Sequence, residues 1–151
     1  MTAGAGVAIR RAAWWGTAVF VVTSAAAVVA PEAPLEVPAF VVAIVLFFAG
    51  CAAFAAAYSR AVSRSRTDLI GVTELFFLTG KTAPPAIRRS LLAALAVEVV
   101  VGLGAAIARP YTSLAAGTLV PVYGLGLCGV WASRHGKFPR RPKEKPGGRR
   151  R

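Results

Sequence analysis

Apolar residues fall into four blocks along this chain, separated by segments rich in charge, proline and glycine. The blocks cover residues 12–30, 39–58, 90–108 and 114–132, and each is 19 or 20 residues long. At about 1.5 Å per residue, a helix of this length measures roughly 30 Å, which is the thickness of the hydrocarbon core of a bilayer. The pattern therefore predicts four transmembrane helices.

The same blocks lack the features of the two competing folds. They do not alternate apolar and polar residues, as the strands of a membrane barrel do. They also lack the polar face that a helix of a soluble bundle turns to water. Because 56% of all residues are hydrophobic, we predict an all-α fold, a polytopic membrane helical bundle.

The long segment between the second and third blocks, residues 59–89, contains a shorter apolar run. Asp68 is a candidate N-cap, the run covers residues 69–78, and Gly80 followed by Pro84 is a typical stop signal. Ten residues are too few to cross the membrane. We expect a short helix that lies at the interface or is tucked under the bundle, with a re-entrant segment as the alternative.

The positions of the basic residues predict the orientation. All but one of the eighteen Lys and Arg residues lie before the first block, between the second and third, or after the fourth; the exception is Arg109. The loop between the first two blocks carries Glu32 and Glu36 and no base. The positive-inside rule then predicts a multi-pass protein of the plasma membrane with both termini and the middle loop in the cytoplasm.

The chain ends in a basic segment, residues 133–151, which follows a predicted membrane domain of residues 1–132. The segment is rich in proline and glycine, which predicts a disordered cytoplasmic tail. We expect it to contact anionic lipid headgroups of the phospholipid membrane. Nucleic acid is not an expected partner, because the tail has one aromatic residue, Phe138, and hence no platform for stacking bases.

The first block has a second interpretation, a signal peptide that is removed after export. Arg10 and Arg11 precede it, and the small residues up to Ala30 resemble a cleavage site. Against cleavage, Pro31 would follow the cut, and the apolar run is longer than the usual signal core. We therefore keep the first block as a membrane span.

No sequence motif points to catalysis. Residues 124–129, GLGLCG, match a dinucleotide-binding fingerprint in letters, but they lie inside a predicted span and not at a turn from strand to helix. The triplet GKT at residues 80–82 lacks the glycine that a P-loop requires at position 75. His135 is the only histidine and cannot alone form a metal site. We predict no catalytic residues, cofactor or metal, and no enzymatic activity.

Glu98 is the one acidic residue inside a predicted span, and it has a functional and a structural interpretation. A buried ionised carboxylate costs several kcal/mol, so intramembrane acids often serve transport, and we expect this group to be neutral. Taking every fourth residue places Glu98 on a ridge of small residues between Ala94 and Gly102. A short turn between the last two spans brings Gly124 opposite Glu98 and Tyr123 to the same depth, where its hydroxyl could form a hydrogen bond with the carboxyl group. The structural interpretation is a protonated Glu98 that donates an interhelical hydrogen bond.

These observations lead to two hypotheses of function. The first is an accessory or structural membrane component that packs as a homo-oligomer or with a membrane-protein partner, since small residues line the spans. The second is a small proton-coupled carrier that uses Glu98. Its plan of four short spans with one carboxylate resembles that of the small multidrug carriers, although their carboxylate lies in the first span and this one lies in the third.

Two segments carry a resemblance to a known group of proteins. They read ELFFLTGKTAPPAIRRSLLAAL and RPYTSLAAGTLVPVYGLGLCGVWASRHGKFP. Both resemble segments of small four-span actinobacterial integral membrane proteins of unassigned function, over roughly the second half of the chain. The resemblance implies lineage and membrane location, and it implies no catalytic or binding residue.

Overall fold

The computed structural model describes residues 3–30 and 34–141, and most of these residues are helical. It contains a 3₁₀ helix at Ser113–Leu119 and five α-helices, numbered α1 to α5: Ala3–Val29, Glu36–Arg64, Val72–Phe77, Pro85–Ala108 and Pro121–His135. Within the described residues there is no strand, only an isolated bridge between Asp68 and Arg140. The predicted all-α class is confirmed.

Four helical segments are long and apolar enough to cross a membrane. They are Gly6–Val29, Glu36–Arg64, Pro85–Ala108 and Ser113–His135, and they confirm the prediction of a four-span helical bundle. The helices begin earlier or end later than the apolar blocks, because hydropathy marks the part inside lipid while the helical hydrogen bonds continue into the polar flanks. Helix α4, for example, begins at Pro85, whose missing N–H is no loss in a first helical turn.

The fourth span is divided, whereas the sequence predicted one continuous helix over residues 114–132. Pro121 has no N–H and cannot donate to the carbonyl of Gly117, so the backbone cannot continue as a regular helix. That carbonyl accepts from Val120 N at 3.2 Å, which closes the 3₁₀ helix. Pro121 becomes the first residue of α5. A helix N-terminus therefore lies inside the membrane-spanning part of the chain.

Helix α5 contacts every other α-helix and forms the centre of the bundle. Glycines permit the close approach of its neighbours. A Cβ atom added at Gly50 of α2 would lie 2.5 Å from the backbone nitrogen of Tyr123, and one added at Gly102 of α4 would lie 2.5 Å from the carbonyl oxygen of Gly117. Small residues at these points let helix backbones pack directly on each other, as in other membrane bundles.

Helix α3 packs against α2 and α5. Leu75 and Phe76 are buried, and the Phe76 ring stacks on Phe54 of α2 with 4.3 Å between ring centroids. Gly129 of α5 provides the space, since a Cβ there would lie 2.6 Å from the Phe76 ring. The structure therefore shows that the short helix packs on residues of α2 and α5.

The ends of α3 differ from those predicted. The helix follows Gly71 and not Asp68, and the Glu74 carboxylate accepts a hydrogen bond from the Gly71 N–H at 3.3 Å. The Asp68 carboxylate is held instead by Arg64, at 3.1 Å, and so cannot cap the helix. The helix ends before Gly80, because Leu78 already adopts a left-handed conformation with φ 53°.

The first part of the predicted disordered tail belongs to the fold. Helix α5 continues to His135, and the backbone beyond it pairs with the loop between α2 and α4: Lys137 N donates to Thr82 O at 3.1 Å, and Arg141 N donates to Thr67 O at 2.9 Å. These hydrogen bonds explain why residues 133–141 are not a free tail. The remaining tail residues, 142–151, lie outside the described residues, as do Glu32 and the rest of residues 31–33.

Candidate functional site

The carboxyl group of Glu98 connects three helices. The residue lies in α4 and has 0% of its surface exposed. Its Oε1 atom is 2.7 Å from the hydroxyl oxygen of Thr17 in α1, and its Oε2 atom accepts a hydrogen bond from the backbone N–H of Gly124 in α5 at 3.1 Å. Both carboxyl oxygens therefore have a partner within the chain.

The N–H of Gly124 is available because α5 starts irregularly. In α3, by comparison, the N–H of the fourth residue, Leu75, donates to the carbonyl of the capping residue Gly71 at 2.9 Å. In α5 the equivalent carbonyl, that of Val120, accepts from Tyr123 at 2.8 Å. The N–H of Gly124 then points to Glu98. The acid thus satisfies a free donor of the first helical turn, where the helix dipole favours negative charge.

Only a glycine at position 124 permits this contact. A Cβ atom at Gly124 would lie 2.6 Å from Glu98 Oε2 and 3.1 Å from Leu95 Cδ1. Since the Leu95 side chain and the carboxyl group are both packed in the core, neither can move away without losing contacts. Glu98 and Gly124, two of the three residues selected from the sequence, therefore lie in direct contact.

Tyr123, the third residue, is not a partner of Glu98. Its hydroxyl donates to the carbonyl of Ala12 at 2.8 Å, and its ring lies against Gly16, where no Cβ would fit. The predicted hydrogen bond between Tyr123 and Glu98 is therefore wrong. Successive residues of a helix point about 100° apart, so that Gly124 faces α4 while the neighbouring Tyr123 faces α1.

Thr17 is the partner that sequence reasoning missed. Its side chain is 1% exposed, and its hydroxyl oxygen also lies 2.9 Å from the carbonyl oxygen of Ala13. The signal was present, since Thr17 is one of very few hydroxyl residues in the first span. A single sequence does not show which helices are adjacent, and adjacency is what makes this hydroxyl a partner of Glu98.

The same atoms satisfy both protonation states of Glu98. A hydroxyl group has one proton to donate and can also accept. If the carboxyl group is ionised, Thr17 donates to Glu98. If it is protonated, Glu98 donates to the Thr17 oxygen, and the Thr17 proton turns to the carbonyl of Ala13, 2.9 Å away. The site can therefore act as an interhelical clamp, or take up and release a proton without moving a heavy atom.

The rest of the described chain adds no obvious reactive cluster to this site. Within residues 3–30 and 34–141, no three His, Cys, Asp or Glu side chains lie close enough together to bind a metal ion. Both cysteines are free thiols, Cys128 buried and Cys51 partly so. No protein family, curated protein or solved structure matches this chain.

Proposed function

We propose that this chain is a non-catalytic accessory component of a membrane, which packs laterally with itself or with a larger membrane complex. The closed Glu98 site is the observation that best supports this role. The carboxyl group is fully buried, and Thr17 and Gly124 occupy both of its oxygens. A group bonded in this way holds helices together, with about 0.6 to 2 kcal/mol expected for each such bond in a membrane.

The outer face of α4 offers a surface for lateral packing. Val100, Leu103 and Ile107 on this face are 51 to 78% exposed. A Cβ atom added at Gly104 would have nothing within 4 Å, so the backbone is open to the surroundings at this point. A second membrane helix could approach α4 closely here, because small residues favour contact between helices.

Photo-crosslinking in the native membrane tests the accessory role. A photoreactive residue replaces Leu103 on the outer face of α4, and the control replaces Val45, an exposed residue of α2. We expect a discrete adduct of defined mass from position 103, together with a larger species on blue-native electrophoresis. Monomer alone from both positions, with no protein that co-purifies, contradicts the proposal.

The second candidate function is a small proton-coupled carrier. The observation in its favour is the arrangement of Thr17 between Glu98 and the carbonyl of Ala13, which suits proton uptake and release. The test uses proteoliposomes with an imposed pH gradient and a lipophilic cationic dye. A carrier loses gradient-driven dye movement with Glu98→Gln and keeps it with Glu36→Gln, since Glu36 pairs with Arg109 away from the membrane interior. Equal movement by both variants rules this role out.

We also propose that the protein lies in the plasma membrane with both termini in the cytoplasm. Basic residues cluster at the end of the bundle formed by the start of α4 and the ends of α2 and α5, which we call the basic end. At the opposite end, Arg109 is paired with Glu36 at 2.7 Å. In a cysteine-free background, we expect a membrane-impermeant maleimide to label Tyr111→Cys in intact cells and Arg66→Cys only after permeabilisation. The reverse pattern contradicts this orientation.

A further inference from the structure

Two adjoining cavities lie at the basic end of the bundle. The first has a volume of about 470 Å³, and its lining includes Lys81, His135 and Lys137. The second has a volume of about 730 Å³, and its lining includes Arg88 and Arg89. The lining of both includes Gly80, Ala83 and Pro85. The segment 80–85 is therefore a common wall between them.

The basic side chains around these cavities have no acidic partner in the described part of the chain. The two ion pairs found there, Arg64 with Asp68 and Arg109 with Glu36, use none of the cavity bases. No acidic residue is in the lining of either cavity. Glu74 is close to Gly80, but its carboxylate accepts from the N–H of Gly71. Basic groups concentrated without counter-charges create a positive potential that attracts an anion.

Two aromatic residues of α5 form one side of the first cavity. Trp131 and His135 both line it, and their rings lie 5.6 Å apart. In the described structure, Trp131 Nε1 and His135 Nε2 are buried and form no hydrogen bond. Trp131 Nε1 lies towards α1, where a Cβ atom added at Gly6 would be 3.2 Å away. These closed nitrogens are therefore not the groups that would bind a ligand, and the charged side chains of the lining provide the polar contacts.

The common wall is held rigidly. Thr82 is 3% exposed, and its hydroxyl donates to the carbonyl of Thr79 at 2.8 Å. Its own carbonyl accepts from the backbone of Lys137 at 3.1 Å, and Pro84 and Pro85 follow in the chain. A preformed wall lowers the entropy lost when a ligand binds. The second cavity is partly apolar, because Leu92 and Ala93 of α4 lie beside its two arginines.

We propose that these cavities bind a phosphate ester. The anionic group lies in the first cavity against Lys81 and Lys137, since Lys and Arg are the usual phosphate ligands, and the rest of the ester crosses segment 80–85 into the second cavity beside Arg88 and Arg89. Its apolar part lies on Leu92 and Ala93. An anionic membrane phospholipid and a soluble organic phosphate share this chemistry. The site is formed by segment 80–93, the end of α5 and Lys137, the part of the basic segment that belongs to the fold. A defined site of this kind differs from the contacts that a disordered tail makes with a lipid surface.

The test measures thermal unfolding of the full-length protein in zwitterionic detergent micelles during titration with three probes. Dioctanoyl phosphatidylglycerol supplies a phosphate with acyl chains, glycerol 3-phosphate supplies the phosphate alone, and dioctanoyl phosphatidylcholine supplies chains without net charge. We expect the first probe to raise the unfolding temperature in a saturable manner. Saturation by glycerol 3-phosphate, with no further gain from the lipid, identifies a soluble ester as the ligand.

Two double variants with the same loss of charge decide whether the site is specific. Lys81→Gln with Lys137→Gln removes the bases of the first cavity, and Arg60→Gln with Arg66→Gln removes two exposed bases outside both cavities. We expect binding about tenfold weaker for the first pair and unchanged for the second, while Lys81→Arg with Lys137→Arg retains it. Equal weakening in both Gln pairs, an equal effect of phosphatidylcholine, or no shift with either phosphate overturns the proposal.

Discussion

The Glu98 site and the cavities at the basic end both contain polar groups. They differ in whether those groups have partners within the chain. At Glu98 each carboxyl oxygen meets a donor from the chain itself, Thr17 on one side and Gly124 on the other. At the basic end, the bases that line the cavities have no acidic partner in the described residues. We therefore call the Glu98 site the closed site, and we call the two cavities at the basic end the incomplete site.

The difference follows from depth in the membrane. Lipid chains offer no hydrogen bonds, so a polar group in the interior must find its partners within the protein. At the interface, water and headgroups can supply them. Substitutions at the closed site should therefore change the stability of the fold, whereas substitutions at the incomplete site should change ligand binding. Each variant below tests one side of this distinction.

Gly124→Ala should have the largest effect. The new Cβ would lie 2.6 Å from Glu98 Oε2 and 3.1 Å from Leu95, so the carboxyl group must leave its hydrogen bond or the helices must separate. We expect a loss of about 2 to 3 kcal/mol in the free energy of unfolding, measured by titration with SDS in mixed micelles. Gly104→Ala is the matched control, because a Cβ there meets open space. Similar losses for both variants would show that close packing at Gly124 is unimportant.

Replacement of Glu98 should be the next most damaging change, and its size depends on the side chain introduced. Glu98→Leu leaves the Gly124 N–H buried without an acceptor, which typically costs about 1 to 3 kcal/mol. Glu98→Gln keeps an oxygen for Gly124 and an NH₂ group that can donate to Thr17, and should therefore retain most of the stability. SDS titration of both variants checks this order. If Gln destabilises as much as Leu, the charge of the carboxylate matters more than its hydrogen bonds.

Hydropathy predicts the spans of this protein well because each apolar block has only one stable arrangement in lipid, a helix across it. The division of the fourth span is a local effect of Pro121, which the sequence contains but which could equally produce a kink. The placement of α3 depends on the packing of the Phe76 side chain against Phe54 and Gly129. Such contacts join parts of the chain that are distant in sequence, and the pattern of hydrophobic residues does not predict them.

The Glu98 site shows the same limit at the level of single residues. The short turn after α4 makes the pairing of Glu98 with Gly124 predictable, because the two helices must run antiparallel side by side. The partner in α1, Thr17, is 81 residues away in sequence, and nothing in the pattern of α1 indicates which helix it faces. The depth of Tyr123 in the span predicts a contact with Glu98, whereas the direction of its side chain around α5 gives it the Ala12 carbonyl as partner.

Thr17→Val should have a smaller effect than Gly124→Ala or Glu98→Leu. Valine keeps the volume and removes the hydroxyl that lies 2.7 Å from Glu98 Oε1. We expect a loss of about 1 kcal/mol in SDS titration, in line with other interhelical hydrogen bonds. Thr23→Val is the matched control, since the Thr23 hydroxyl bonds only to carbonyls of its own helix. A smaller loss for Thr17→Val than for Thr23→Val would contradict a clamp between α1 and α4.

The smallest effect on stability should come from the basic end. Lys81 and Lys137 are exposed and form no ion pair in the described structure, so their double replacement by Gln should leave SDS titration unchanged when no phosphate ester is present. Thr17→Val should show the converse, lower stability but an unaltered shift with phosphatidylglycerol. Because the closed site and the incomplete site share no side chain, the two effects should add when the variants are combined. A clear departure from additivity would mean that anion binding at the basic end changes the stability contributed by the Glu98 site. The two sites would then be energetically coupled parts of one function.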